Sequence, residues 1–162
     1  MFSFRKSILV AGSLFAFAML PTPSYAAPHW LKGSTQEEIQ KLADIQPGLG
    51  TVMIEYSRRF GAAYYAAKGG NWGMAQYQIK EMPEIQEVGE MTRPQFATML
   101  KSFEKSYLDK LMAAAKAKDW NAFKAVADKT PAACNGCHAA NGYDFIKYEL
   151  PASSPSPTSN NP

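Results

Sequence analysis

From Ser34 onward, apolar residues return every three or four positions, the spacing that puts side chains on one face of an α-helix. Leu49, Met53, Tyr56, Phe60, Tyr64 and Ala67 form one such stripe and predict a helix over Leu49–Lys68. Gly69-Gly70 supplies its stop, and Asn71 can cap the next helix. That helix, residues 72–90, carries Trp72, Ala75, Ile79, Met82, Ile85 and Val88. Pro83 lies inside it, so a kink or break near Met82 is expected. Thr92 and Pro94 open a third stripe of Phe96, Leu100, Phe103, Tyr107, Leu111 and Ala114, running to about Lys118. Asp119 caps a fourth helix that holds Trp120, Phe123, Ala127, Cys134 and His138 and ends at Asn141-Gly142. Thr130-Pro131 either kinks this helix or restarts it, with Thr130 as the new cap. Earlier, Ser34 and Thr35 followed by Glu37 and Glu38 have the capping-box pattern and open a short helix that Pro47 must end.

Helices of about 20 residues with short connections, and no alternating strand pattern, predict an all-α fold. The natural architecture is an antiparallel up-down-up-down four-helix bundle. The expected organisation is a signal peptide over 1–26, an N-terminal segment with a short helix over 27–47 and the bundle over 48–150. A disordered Pro/Ser-rich tail over 151–162 completes it.

The signal peptide rests on a three-part pattern. Arg5 and Lys6 precede an almost wholly apolar stretch over residues 7–20, and Ser24-Tyr25-Ala26 gives a small-residue cleavage site. The apolar run is shorter than the roughly 20 residues that span a bilayer, so export to the periplasm with cleavage after Ala26 is expected, without a stable membrane span afterwards. The alternative is a retained anchor. Cleavage removes two bases and no acid, leaving 15 basic against 14 acidic residues. So near-neutral a chain has no basic stripe for nucleic acid.

The chain has two cysteines, Cys134 and Cys137. A disulfide between them would close a very small loop and stabilise little. With Asn135, Gly136 and His138 they read C-x-x-C-H, the attachment signature of c-type haem. The spacing suits the chemistry: two thiols reach the two vinyl groups on one porphyrin edge, and the adjacent imidazole comes under the ring toward iron. One covalent haem c is therefore expected, with Cys134 and Cys137 as thioethers and His138 as proximal iron ligand. Three other readings stay open. A thioredoxin-like site would need a β-α-β setting. A zinc site would need further ligands, with His29 the only other histidine. A plain disulfide would leave His138 unexplained.

Antiparallel packing would bring the end of the fourth helix beside the start of the first, at one level of the bundle. Met53 is thus the candidate distal iron ligand, with pocket lining or core packing as alternatives. Tyr56 and Phe60, further along the same stripe, are candidate haem-pocket residues. The same level brings Met91, Phe96 and Met99 near. His29 could ligate iron in a bis-histidine arrangement or simply be solvated. Arg58, Arg59, Lys101 and Lys105 could meet haem propionates or form a solvated helix face. Trp72, Tyr77, Trp120 and Phe123 fall toward the other end, as core.

Over residues 49–142, a helix bundle with Cys134-Asn135-Gly136-Cys137-His138 near the end of its last helix resembles the cytochrome c-prime family, and more loosely the bundle-type cytochromes b. In that family a basic residue commonly follows the haem histidine; here Ala139, Ala140, Asn141, Gly142 and Tyr143 follow. The apolar segment over residues 143–150 either folds back over the haem edge or closes the end of the bundle. The expected function is a periplasmic one-electron carrier, not an enzyme, serving redox partner proteins. The alternative is a five-coordinate haem protein that binds NO or CO, as the resemblance implies. The resemblance also leaves a homodimer open.

Overall fold

A computed structural model describes residues 32–156. The expected signal peptide, His29 and residues 157–162 lie outside the described residues. Among those described, the chain is all-helical and without strands. It divides into two compact units between Lys41 and Leu42.

Helix α1 spans Thr35–Asp44. Its entry is the expected capping box. The Ser34 backbone N–H donates to the Glu37 carboxylate (2.6 Å), and the Glu37 N–H donates back to the Ser34 hydroxyl (3.4 Å).

In the second unit, α2 runs over Leu49–Lys68 and α3 over Trp72–Thr92. The turn between them follows from two glycines and a cap. Gly70 takes φ +81°, in the left-handed region, while Asn71 accepts the Met74 N–H at 3.0 Å. Helix α3 is unbroken through Pro83, where a kink or break is expected from sequence. Packing against α2 supports it on both sides: Ile79 and Met82 are buried before and beside the proline, and Gln86 and Gly89 after it.

The third stripe is not one uniform helix. A 3-10 turn over Pro94–Phe96 leads into α4 (Ala97–Phe103), then a π-turn over Glu104–Leu108, then α5 (Asp109–Ala117). The Asp109 N–H donates to the Glu104 carbonyl, five residues back, so one residue is inserted into the helical register. The buried position accordingly moves from the expected Tyr107 to Leu108, with Leu111, Ala114 and Ala115 following.

Asp119 caps α6 (Trp120–Ala127), accepting the Ala122 N–H at 3.0 Å. Helix α7 (Thr130–Ala140) is a restart at Thr130-Pro131, as the proline requires. Thr130 is not its cap. Its buried hydroxyl donates to the Val126 carbonyl at 3.1 Å, tying α7 to the end of α6.

The core joins α2, α3, α5 and α6 through Phe60, Ile79, Met82, Leu108, Leu111 and Phe123. Phe123 sits between Trp72 and Trp120, with ring centroids 6.3 and 6.2 Å away. Tyr77 was expected in this group but is 51% exposed, because α3 turns it away from the other helices. No helix among the described residues is long and apolar enough to cross a membrane.

Candidate functional site

Helix α7 ends in a motif that shapes the site. Gly142 takes φ +79°, its N–H donates to the Ala139 carbonyl (3.1 Å), and the Tyr143 N–H reaches the His138 carbonyl (2.9 Å). This paired arrangement is the glycine-dependent way to cap helical carbonyls and reverse the chain. The reversal sends residues 143–150 back along α7 as a strap.

The strap meets the C-x-x-C-H residues directly. The Nδ1 atom of His138 lies 2.9 Å from the Ile146 carbonyl oxygen. A carbonyl can only accept, so Nδ1 carries a proton, and in the neutral ring this leaves the lone pair on Nε2. Asn135 makes two bonds to one strap residue. Its amide donates to the Tyr148 carbonyl (3.1 Å), and its carbonyl oxygen accepts the Tyr148 N–H (2.7 Å).

Beside these residues opens a cleft of about 740 Å³, within the usual range for small-molecule sites. Cys134, Cys137 and His138 line it from α7, Met53, Tyr56 and Phe60 from α2, and Phe96, Met99 and Phe103 from the third stretch. All six residues nominated from sequence therefore share one cavity. The strap forms a further wall through Tyr143, Ile146, Lys147 and Tyr148. Tyr148 packs edge-on against Phe60, with centroids 5.9 Å apart.

Both cysteines are free thiols. Burial and the neighbouring Cys137 push the Cys134 thiol up to about 12, and burial raises Cys137 as well. They are thus protonated near neutral pH and poorly suited to thiolate catalysis. The Cys137 thiol points at the Met99 sulfur, 3.1 Å away.

Behind the cleft wall lies a buried polar cluster. The Tyr56 hydroxyl donates to Gln86 Oε1 (3.2 Å), and the Gln86 amide donates to Glu90 (2.9 Å) and Glu104 (3.1 Å). Burial foremost, then the nearby Cys134, Glu104 and Glu90, holds the Tyr56 hydroxyl well above the usual phenol range.

Other sequence expectations fall elsewhere. Met91 is 82% exposed and does not line the cleft. Arg58, Arg59, Lys101 and Lys105 do not line it either. Arg59 instead pairs with Glu55 at 2.8 Å and donates to Gln78, and Lys101 pairs with Glu90 at 3.6 Å. The cationic side chains on the cleft are Arg93 and Lys147. Sequence reasoning missed both, together with Asn135 and Ile146. The Asn141-Gly142 stop and the apolar character of residues 143–150 were the signals for the reversal that brings Ile146 to His138.

Among the described residues, no three His, Cys, Asp or Glu side chains converge to hold a metal ion by themselves. No family model matches the chain, and neither a curated protein nor a solved structure does.

Proposed function

We propose that the protein is an exported monohaem c-type cytochrome acting as a one-electron carrier, its helical stretches arranged as an antiparallel four-helix bundle. Cys134 and Cys137 would hold the haem as thioethers, and His138 would ligate iron through Nε2. Bound there, haem supplies a one-electron ferric/ferrous couple.

One observation carries the reading. The His138 imidazole is oriented by a backbone carbonyl on Nδ1, as metal-ligating histidines are, with two free thiols beside it in one apolar cleft. The rest of the lining fits a flat aromatic macrocycle. Tyr56, Phe60, Phe96 and Phe103 offer rings and exclude water. Arg93 and Lys147 offer cations suited to carboxylates. Met53 offers a thioether sulfur from α2 in the same cleft and is our candidate for a second iron ligand. A sixth ligand of that kind limits rearrangement when iron changes charge.

The test is production with the leader intact in a host that matures c-type cytochromes, followed by intact mass and spectra. The reading expects a haem-sized mass increment, loss of residues 1–26 and ferrous bands that carbon monoxide leaves unchanged. Absence of the increment sinks it. Rapid stoichiometric carbon monoxide binding replaces electron transfer with the gas-binding alternative.

A further inference from the structure

Asn135 occupies a variable position of the C-x-x-C-H pattern, where attachment chemistry asks nothing of the side chain. Here its amide is fully committed, both groups bonding the backbone of Tyr148. Tyr148 lies two residues beyond Ile146, whose carbonyl faces His138 Nδ1. At the other end of the same short segment, the Tyr143 N–H is fixed to the His138 carbonyl, and the Ile146 N–H to the Tyr143 carbonyl at 2.9 Å. The chain from Tyr143 to Tyr148 is therefore a bridge pinned at both ends, with the Ile146 carbonyl in its span.

From this geometry we infer that Asn135 is a positioning residue for His138: it pins the strap so that the Ile146 carbonyl stays on Nδ1 and fixes the tautomer that presents Nε2 to iron. The inference rests on the reading of His138 as an iron ligand. The physical consequence is electronic as well as geometric. An imidazole whose Nδ1–H is held by a carbonyl is a more basic donor at Nε2. A more basic donor favours ferric over ferrous iron. Loosening the carbonyl weakens that preference, so the reduction potential rises.

Two other contacts keep the Tyr148 side chain anchored to α2 when the Asn135 pin is removed. Tyr148 stacks edge-on with Phe60, and its hydroxyl reaches the Ser57 carbonyl at 3.4 Å. Asn135→Ala should therefore loosen the Ile146 carbonyl without detaching the strap, leaving haem attachment intact.

The experiment compares wild-type holoprotein with Asn135→Ala holoprotein. Two readouts are taken: hydrogen exchange of the His138 ring Nδ1–H in the ferrous state by NMR, and the midpoint potential. Expected are exchange about tenfold faster and a tenfold loss of ferric preference, which for a one-electron couple is a rise of about 59 mV. A merely structural role would lower the melting temperature and leave both readouts where they were, and that result overturns the inference. Should Asn135→Ala not yield folded protein, Asn135→Asp carries the same test. It keeps the acceptor for the Tyr148 N–H and loses the donor to the Tyr148 carbonyl, so the same shifts are expected in smaller measure, and unchanged readouts again overturn the inference. A wild type that carries no haem overturns the proposed function and this inference together. A wild-type holoprotein with an unresponsive Asn135 variant overturns this inference alone.

Discussion

Tyr65 on α2 donates its hydroxyl proton to the carbonyl oxygen of Pro151 across 2.6 Å, joining residues 86 positions apart in the chain. Next to that bond, an added Cβ on the buried Gly61 would meet Pro151 and Pro155 side-chain atoms at 3.0–3.2 Å. The tail that composition marks as disordered thus begins packed on α2, because a glycine leaves room for prolines. Tyr65→Phe should release this end of the strap at a cost of about 1 kcal/mol. Tryptic cleavage at the exposed Lys147 should then run about fivefold faster. Unchanged cleavage would mean that the bond does not hold the strap.

Gln86 is 1% exposed and depends on Tyr56 for the donor to its side-chain oxygen. Tyr56→Phe keeps the ring and strands that oxygen. The expected loss is about 1–3 kcal/mol in urea unfolding, the usual penalty for a buried group deprived of its partner. A midpoint equal to wild type would show that the Gln86 oxygen finds another donor.

Lys118 ends α5 at φ +54°, the one left-handed residue among those described that is not glycine. Its N–H and that of Asp119 close the helix onto Ala115 and Ala114. Lys118→Gly removes the Cβ conflict that left-handed backbone imposes and should stabilise the fold by about 1 kcal/mol. Thermal unfolding checks the sign: a lower melting temperature would contradict it.

Alkaline pH should destabilise the haem-free chain earlier than the loaded one. The folded Cys134 thiol is raised from 9.0 to about 12, so folding favours its protonated form. That stabilisation is complete below about pH 9 and is lost as pH climbs toward 12. Tyr56 and Tyr148 are raised too, chiefly by burial, and add losses of the same sign above pH 10. On the proposed function, haem attachment would consume the thiols and remove the first loss. In the haem-free chain the urea midpoint should hold up to about pH 9 and fall from about pH 9 to about pH 10, before the tyrosines contribute, and Cys134→Ala should flatten that fall. A slope that persists in Cys134→Ala would assign the effect to other groups.

Much of the fold was legible where the chain carries strong punctuation. Gly69-Gly70-Asn71 and Asp119 fixed helix ends, since each serves a specific turn or cap. Six cleft residues could be named because a helical stripe and a five-residue motif line the same cavity. The π-turn left no such mark. Glu104, Lys105, Ser106 and Tyr107 suit an ordinary helix as well, so spacing alone placed Tyr107 where Leu108 is buried. The Asn135–Tyr148 and His138–Ile146 contacts were invisible for another reason: their strap partners are backbone atoms, which carry no residue identity.

The π-turn also separates two jobs within one rod. Before it, Met99 and Phe103 face the cleft; from its last residue onward, Leu108, Leu111 and Ala115 fill the core. Leu100 and Leu108 stand eight apart, about one residue more than two α-helical turns need. Deleting a single residue from the turn would bring the buried positions on either side back into ordinary α-helical phase. The core therefore does not require the insertion. What the extra residue changes is the outward aim of the turn, where Phe103 and Tyr107 stack at 4.9 Å over the groove beside Cys137. The insertion acts as a gear offset, letting the cleft wall be oriented independently of the packing that holds the helices together.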